Sequence, residues 1–128
     1  MEEKLQISSE ASRRYGKALY ETSKEEYLEQ DMYEETSRLL ELLSSNNSFK
    51  KLFSSPVLSA NSQEILIDNI FSVTNSKKIK VSKNLFSFLK VLASNRRLRI
   101  LTDALYSFQA IIKAMNEEVN VKIISAVP

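Results

Sequence analysis

Six carboxylates crowd one short stretch of this 128-residue chain: Glu25, Glu26, Glu29, Asp31, Glu34 and Glu35. Paired carboxylates can move protons or hold a hard cation. Here they are strung along the polar side of a helical pattern with no pocket signal beside them, so they read as a solvated face. Serines are abundant, but a serine nucleophile needs a base to take its proton, and the chain has no histidine. It also has no cysteine, which removes thiolate chemistry, disulfides and, with histidine, the usual zinc ligands. A single glycine, Gly16, leaves no room for a glycine-rich phosphate loop. The residue inventory therefore predicts no catalytic, cofactor or metal site, and points to binding and assembly.

Two basic stretches could meet an anionic partner: Lys77, Lys78, Lys80 and Lys83, and then Arg96, Arg97 and Arg99. Clustered cations bind phosphates, but base recognition usually adds interleaved aromatics. Only Phe86 lies near either cluster. A small helical RNA-binding module is thus the alternative reading, and the acidic opening of the chain argues against it. Residues 1–45 carry six Lys/Arg against eleven Asp/Glu, whereas residues 46–128 carry twelve against five.

With one Gly and two Pro the chain lacks the turn residues of sheet-rich folds. Apolar spacing predicts an all-α, six-helix bundle, with helices near 9–23, 25–45, 47–54, 60–73, 82–95 and 97–116. On the first helix Ala11, Tyr15, Ala18 and Thr22 share one face, and Ser12, Gly16, Leu19 and Ser23 form a neighbouring strip of mostly small residues. Gly16 costs about 1 kcal/mol there relative to alanine. Either a sibling helix packs closely on it, or the strip is a groove for a partner helix. Leucine at position 16 separates the two: neutral or stabilising in an open groove, destabilising against a sibling helix.

Ser23 and Glu26 are spaced as a capping box for the second helix, whose inward stripe is Leu28, Met32, Leu39 and Leu43, widened by Leu40 and Leu42. Pro56 ends the third helix, which turns Phe49, Leu52 and Phe53 inward. Ser59 and Ser82 can cap the fourth and fifth. The fifth carries a core stripe of Leu85, Phe88, Leu89 and Leu92, with Phe86, Lys90 and Ala93 to one side. After a break at Asn95–Arg96, where Asn suits a left-handed turn, Leu98, Leu101, Leu105, Phe108, Ile112 and Met115 form a heptad seam. The alternating β-branched tail, residues 118–128, predicts a strand. A strand without a mate is unstable, so the expected layout is a helical bundle over 1–117 and, over 118–128, the start of a truncated second domain. The opening MEEKLQIS lacks the features of a signal or transit peptide, and no apolar run approaches the ~20 residues of a membrane span.

Four stretches in order resemble one family. ASRRYGKALYETSKE, from Ala11 to Glu25, looks like a family opening of an arginine, a short gap and Tyr-Ala-Lys-Ala-Leu-Phe, with Gly16 and Tyr20 as departures. LFSSPVLS, Leu52 to Ser59, resembles its L-x-S-P-x-L-S linker. FLKVLASNRRLRIL, Phe88 to Leu101, is similar to its helix-five signature ending Leu-x-x-N-x-R-L, and VKIISAVP, Val121 to Pro128, to its interdomain strand. The family is the delta subunit of F-type ATP synthases, called the oligomycin-sensitivity-conferring protein in mitochondria.

The resemblance implies a non-catalytic subunit of the peripheral stalk that supports proton-driven ATP synthesis from the cytoplasmic face of a bacterial plasma membrane. It implies a helical domain that sits on the catalytic head and receives the N-terminal helix of an alpha subunit between helices one and five. It also implies a further domain that engages the b-subunit stalk, with no nucleic acid and no direct membrane insertion. The partner-binding residues expected on that basis are Ser12, Gly16, Leu19 and Tyr20, with Phe86, Lys90 and Ala93 across the groove. Tyr15 and Ala18 could serve core or groove. Arg13 and Arg14 suit an acidic residue on the partner.

Overall fold

Four of the helices start where a short polar side chain satisfies a free N–H group of the first turn. The computed structural model describes the backbone of residues 9–55 and 57–126, and side chains of residues 9–55 and 57–117. Six α-helices account for most of it: α1 Glu10–Glu25, α2 Glu29–Ser45, α3 Asn47–Ser54, α4 Ala60–Ile70, α5 Lys83–Ser94 and α6 Leu101–Ala126. Ser9, Asn46, Ser59 and Ser82 each accept a hydrogen bond from the backbone N–H three residues on, capping α1, α3, α4 and α5. Helix α3 stops at Ser54, and Ser55 is extended, as a residue before proline should be.

The apolar stripes converge on one core. Met32, Leu39, Leu40 and Leu43 of α2 meet Ile67 of α4, Leu85, Phe88, Leu89 and Leu92 of α5, and Leu101, Leu105, Phe108 and Ile112 of α6. The heptad seam of the last helix packs inside the bundle as far as Ile112. Met115 is 41% exposed.

Several local expectations give way. Ser23 does not cap α2: it stays buried within α1, its hydroxyl donating to the Leu19 carbonyl at 2.8 Å. Helix α1 closes instead through Leu28 N–H to Ser23 O and Tyr27 N–H to Lys24 O, with Tyr27 left-handed at φ 58°. The α5–α6 turn repeats this Schellman arrangement through Arg97 N–H to Leu92 O and Arg96 N–H to Ala93 O. There Arg96, not Asn95, takes the left-handed position, at φ 57°. Helix α4 ends at Ile70, three residues early, because Phe71–Ser72 pairs in parallel with Ile79–Lys80 and buries Phe71 and Val81 beside the core. A 3-10 turn, Leu98–Ile100, leads into α6.

Over residues 118–126, where the sequence predicts a strand, the backbone is helical to Ala126, and Val127 and Pro128 lie outside the described residues. A strand needs hydrogen-bonded neighbours, whereas a helix already running extends by one bond per residue. The helix penalty of valine and isoleucine is only tenths of a kcal/mol each.

The small-residue strip of α1 faces inward. Ser12, Leu19 and Ser23 are buried, and α1 makes its most extensive contact with α6. A β-carbon added at Gly16 would stand 2.7 Å from Ser107 Cβ, 2.8 Å from the Ala104 carbonyl oxygen and 2.8 Å from Phe108 N. Two of those neighbours are backbone and cannot swing aside. Gly16 is therefore a packing residue, and the expected groove on this strip is already filled by α6. Gly16→Ala should lower stability by about 1–3 kcal/mol, overriding its better helix propensity, and Gly16→Leu by more; thermal melts measure both. Tyr27 is 90% exposed in a conformation that costs a side chain about 1–2 kcal/mol. Tyr27→Gly should accordingly raise stability by roughly 0.5–1 kcal/mol, net of glycine's greater unfolded-state entropy.

Candidate partner-binding groove

Turning the small strip onto α6 leaves the next face of α1 looking outward beside α5. Tyr15, Ala18, Leu19 and Thr22 form one wall of a predominantly apolar groove of about 230 Å³, and Asn84, Ser87, Phe88 and Val91 form the other. Leu19 and Phe88 are buried and make the floor. Ala18, Thr22 and Ser87 are exposed, and Val91 keeps 47% of its surface in water. Such a volume is below the usual range for small-molecule pockets. It is open, small-walled and lined at i, i+3, i+4 and i+7 on both helices, a form suited to side chains of an incoming helix.

The tyrosine end of the groove is braced by the α5–α6 turn. Asn95 Nδ2 donates to the Tyr15 hydroxyl at 2.7 Å, and the Arg97 guanidinium lies 5.8 Å from the centre of the Tyr15 ring. Beyond the Thr22 end of α1 a wider hollow of about 670 Å³ is lined by Glu21, Lys24, Glu25, Tyr27 and Glu29. Its charged, shallow wall offers an apolar segment much less to bury.

Of the residues expected to bind a partner, only Leu19 lines the groove. Ser12 and Gly16 lie under α6, and Ala93 is fully buried at 0% exposure. Tyr20 is half-buried against the core, with Lys24 over its ring. Phe86 packs on the core as well, and Lys90 is turned to α4, where its Nζ holds Asp68 at 2.9 Å and Glu64 at 3.8 Å. The α5 residues that do line the groove are one helical face away. Tyr15 and Ala18, left open by the sequence, belong to it. The signal that could have found it is the pairing of the Tyr15, Ala18, Thr22 face with Asn84, Ser87 and Val91, half-polar positions that fit no core stripe.

The acidic stretch also resolves. Glu25, Glu26, Asp31 and Glu34 are exposed, whereas Glu35 is half-buried and its Oε2 accepts from Ser82 N–H at 2.6 Å, joining α2 to the start of α5. Among the described residues no three Asp or Glu gather as metal ligands, and no helix is long and apolar enough to cross a membrane.

The family described as ATP synthase delta (OSCP) subunit matches residues 11–128. The chain belongs to that family. It is 35% identical over 94 residues to the ATP synthase subunit delta of Prochlorococcus marinus strain MIT 9301, which covers 73% of this chain and 49% of the relative. It is 28% identical over 116 residues to that of Clostridioides difficile strain 630, covering 90% and 61%. With the Chlorobaculum tepidum subunit the identity is 28% over 120 residues, covering 94% and 63%. This delta-family chain thus spans about half to three fifths of the length of the curated relatives it matches. No solved structure matches it. The groove walls of this delta-family chain should tolerate charge: Ala18→Arg and Val91→Glu are expected to change stability by no more than about 0.5 kcal/mol, since both sites face water, as chemical denaturation would show.

Proposed function

We propose that this chain is a non-catalytic adaptor in the peripheral stalk of an F-type ATP synthase, and that its α1–α5 groove takes the amphipathic N-terminal helix of an alpha subunit. The observation that carries this is the groove itself: a buried apolar floor of Leu19 and Phe88 between low walls, on the two helices the family resemblance points to. An apolar anchor that fills it gains about 1.5–3 kcal/mol from burial. Several such anchors along a helix give a specific contact without any chemistry at the site.

Its role is mechanical. Rotation of the central stalk drives the catalytic sites of the head, and the head delivers that work only if it does not turn with the rotor. A domain clamped to the head, and tied onward to the b-subunit stalk by the part of the delta subunit this chain does not span, resists that torque. It works at the periphery of the membrane, on the cytoplasmic side in a bacterium, as part of the proton-driven synthase.

The test is a calorimetric titration with the N-terminal peptide of the cognate alpha subunit, run beside a titration with mixed RNA. Saturable peptide binding is expected, weakened at least tenfold by Ala18→Arg or Val91→Glu at unchanged melting temperature. Lys90→Met, on the other face of α5, should leave affinity unchanged. Tight RNA binding with no response to the peptide would replace the adaptor reading with the nucleic-acid one.

A further inference from the structure

Arg96, Arg97 and Arg99 gather around a polar hollow of about 310 Å³ with Ser55, Gln63 and Asn95. All three arginines are exposed, and among the described residues none of them is paired with a carboxylate. Gln63 cannot serve as their counter-group. Its Oε1 accepts from Leu98 N–H and its Nε2 donates to the Leu58 carbonyl, so both ends are committed to the fold. Three guanidiniums held together without an anion repel one another, and each presents a planar fork of donors suited to carboxylate.

The hollow is not isolated from the groove. Arg97 belongs to its lining and lies over the ring of Tyr15, and Asn95 belongs to its lining and bonds the Tyr15 hydroxyl. Tyr15 is itself a groove wall. The basic hollow therefore adjoins one end of the apolar groove, separated from it by a single side chain. Thr22, two turns along α1 and about 10 Å away by helical rise, stands among the exposed carboxylates Glu21, Glu25 and Glu26. The three arginines thus stand at the Tyr15 end of the groove, and three carboxylates, with Lys24 and Lys83 near them, at the Thr22 end.

We infer that the arginine corner is an orientation clamp: it takes carboxylates carried at one end of the helix that fills the groove, and so fixes which way that helix lies. The inference rests on the groove reading and adds to it the chemistry and direction of the occupant. An apolar groove alone accepts a helix in either direction. A cationic corner at one end and carboxylates at the other make the reversed orientation repulsive, which is how charge supplies specificity more than affinity.

The test extends the peptide titration to low and high salt. Arg96→Gln/Arg97→Gln/Arg99→Gln should weaken alpha-peptide binding by at least about tenfold at low salt, each exposed pair being worth a factor of roughly two to five, and should flatten the salt dependence. Lys77→Gln/Lys80→Gln/Lys83→Gln removes the same charge elsewhere and should leave affinity within about twofold. If the arginine variant fails to fold, replacing the peptide's own glutamates and aspartates with amides must produce the same loss on the unaltered chain. A nitroxide at the acidic end of the peptide should broaden the side-chain amide signals of Asn95 and spare those of Asn84. Saturable binding that survives loss of the arginines or of the peptide carboxylates overturns the clamp and leaves the groove reading standing, as does broadening at Asn84. An equal loss from the lysine variant overturns it too, since net charge then explains the effect. No binding of the peptide by the unaltered chain overturns both.

Discussion

The crossing of α1 over α6 at Gly16 decides which surface of this molecule is left to the outside. A helix has a limited circumference, and the strip Ser12, Gly16, Leu19 and Ser23 commits part of it to α6. The distance between packed helices is set by the side chains at the crossing. With no side chain on α1, and with Ala104 and Ser107 on α6, backbone nearly meets backbone. The next face, carrying Tyr15, Ala18 and Thr22, must then stand beside α5 and toward solvent. Core and groove are consequences of one rotational setting of one helix.

Long-range polar contacts hold that setting. Gln109 of α6 donates to the Tyr33 carbonyl and to the hydroxyls of Thr36 and Ser37 on α2, Glu35 ties α2 to the cap of α5, and Gln63 ties α4 to the turn that begins at Leu98. Among the described residues no buried side-chain nitrogen or oxygen lacks a partner. Buried polar groups cost most when left unpaired, so contacts of this kind penalise alternative packings more than they reward the native one.

Much of this was legible in the residues. Periodicity reports which positions share a face, and the stripes of α2, α5 and α6 follow it closely. Serine before an apolar run marks real caps at Ser59 and Ser82. Periodicity is silent on which neighbour a face meets. The small strip of α1 is legible as a strip but not as the face that meets α6, and Phe86, Lys90 and Ala93 lie off the face of α5 that lines the groove. The tail misled for a different reason: β-branched alternation is a preference for a pleated surface, and it yields when the preceding helix is already formed. The left-handed turns at Tyr27 and Arg96 carry no glycine to announce them, and only the closing hydrogen bonds identify them.

The Asn95–Tyr15 bond has a thermodynamic side. It joins the rim of one groove wall to the end of the other, while α6 holds α1 from behind. The two walls are fixed before anything lies between them, so the groove loses little conformational entropy on being filled. The ordering cost of a helix-in-groove contact falls on the occupant, about 1–2 kcal/mol for each backbone residue it must fix. A segment that is unstructured when free would settle here only as far as its apolar burial exceeds that cost. Its own helix propensity, rather than any movement of this bundle, would then set how tightly it is held.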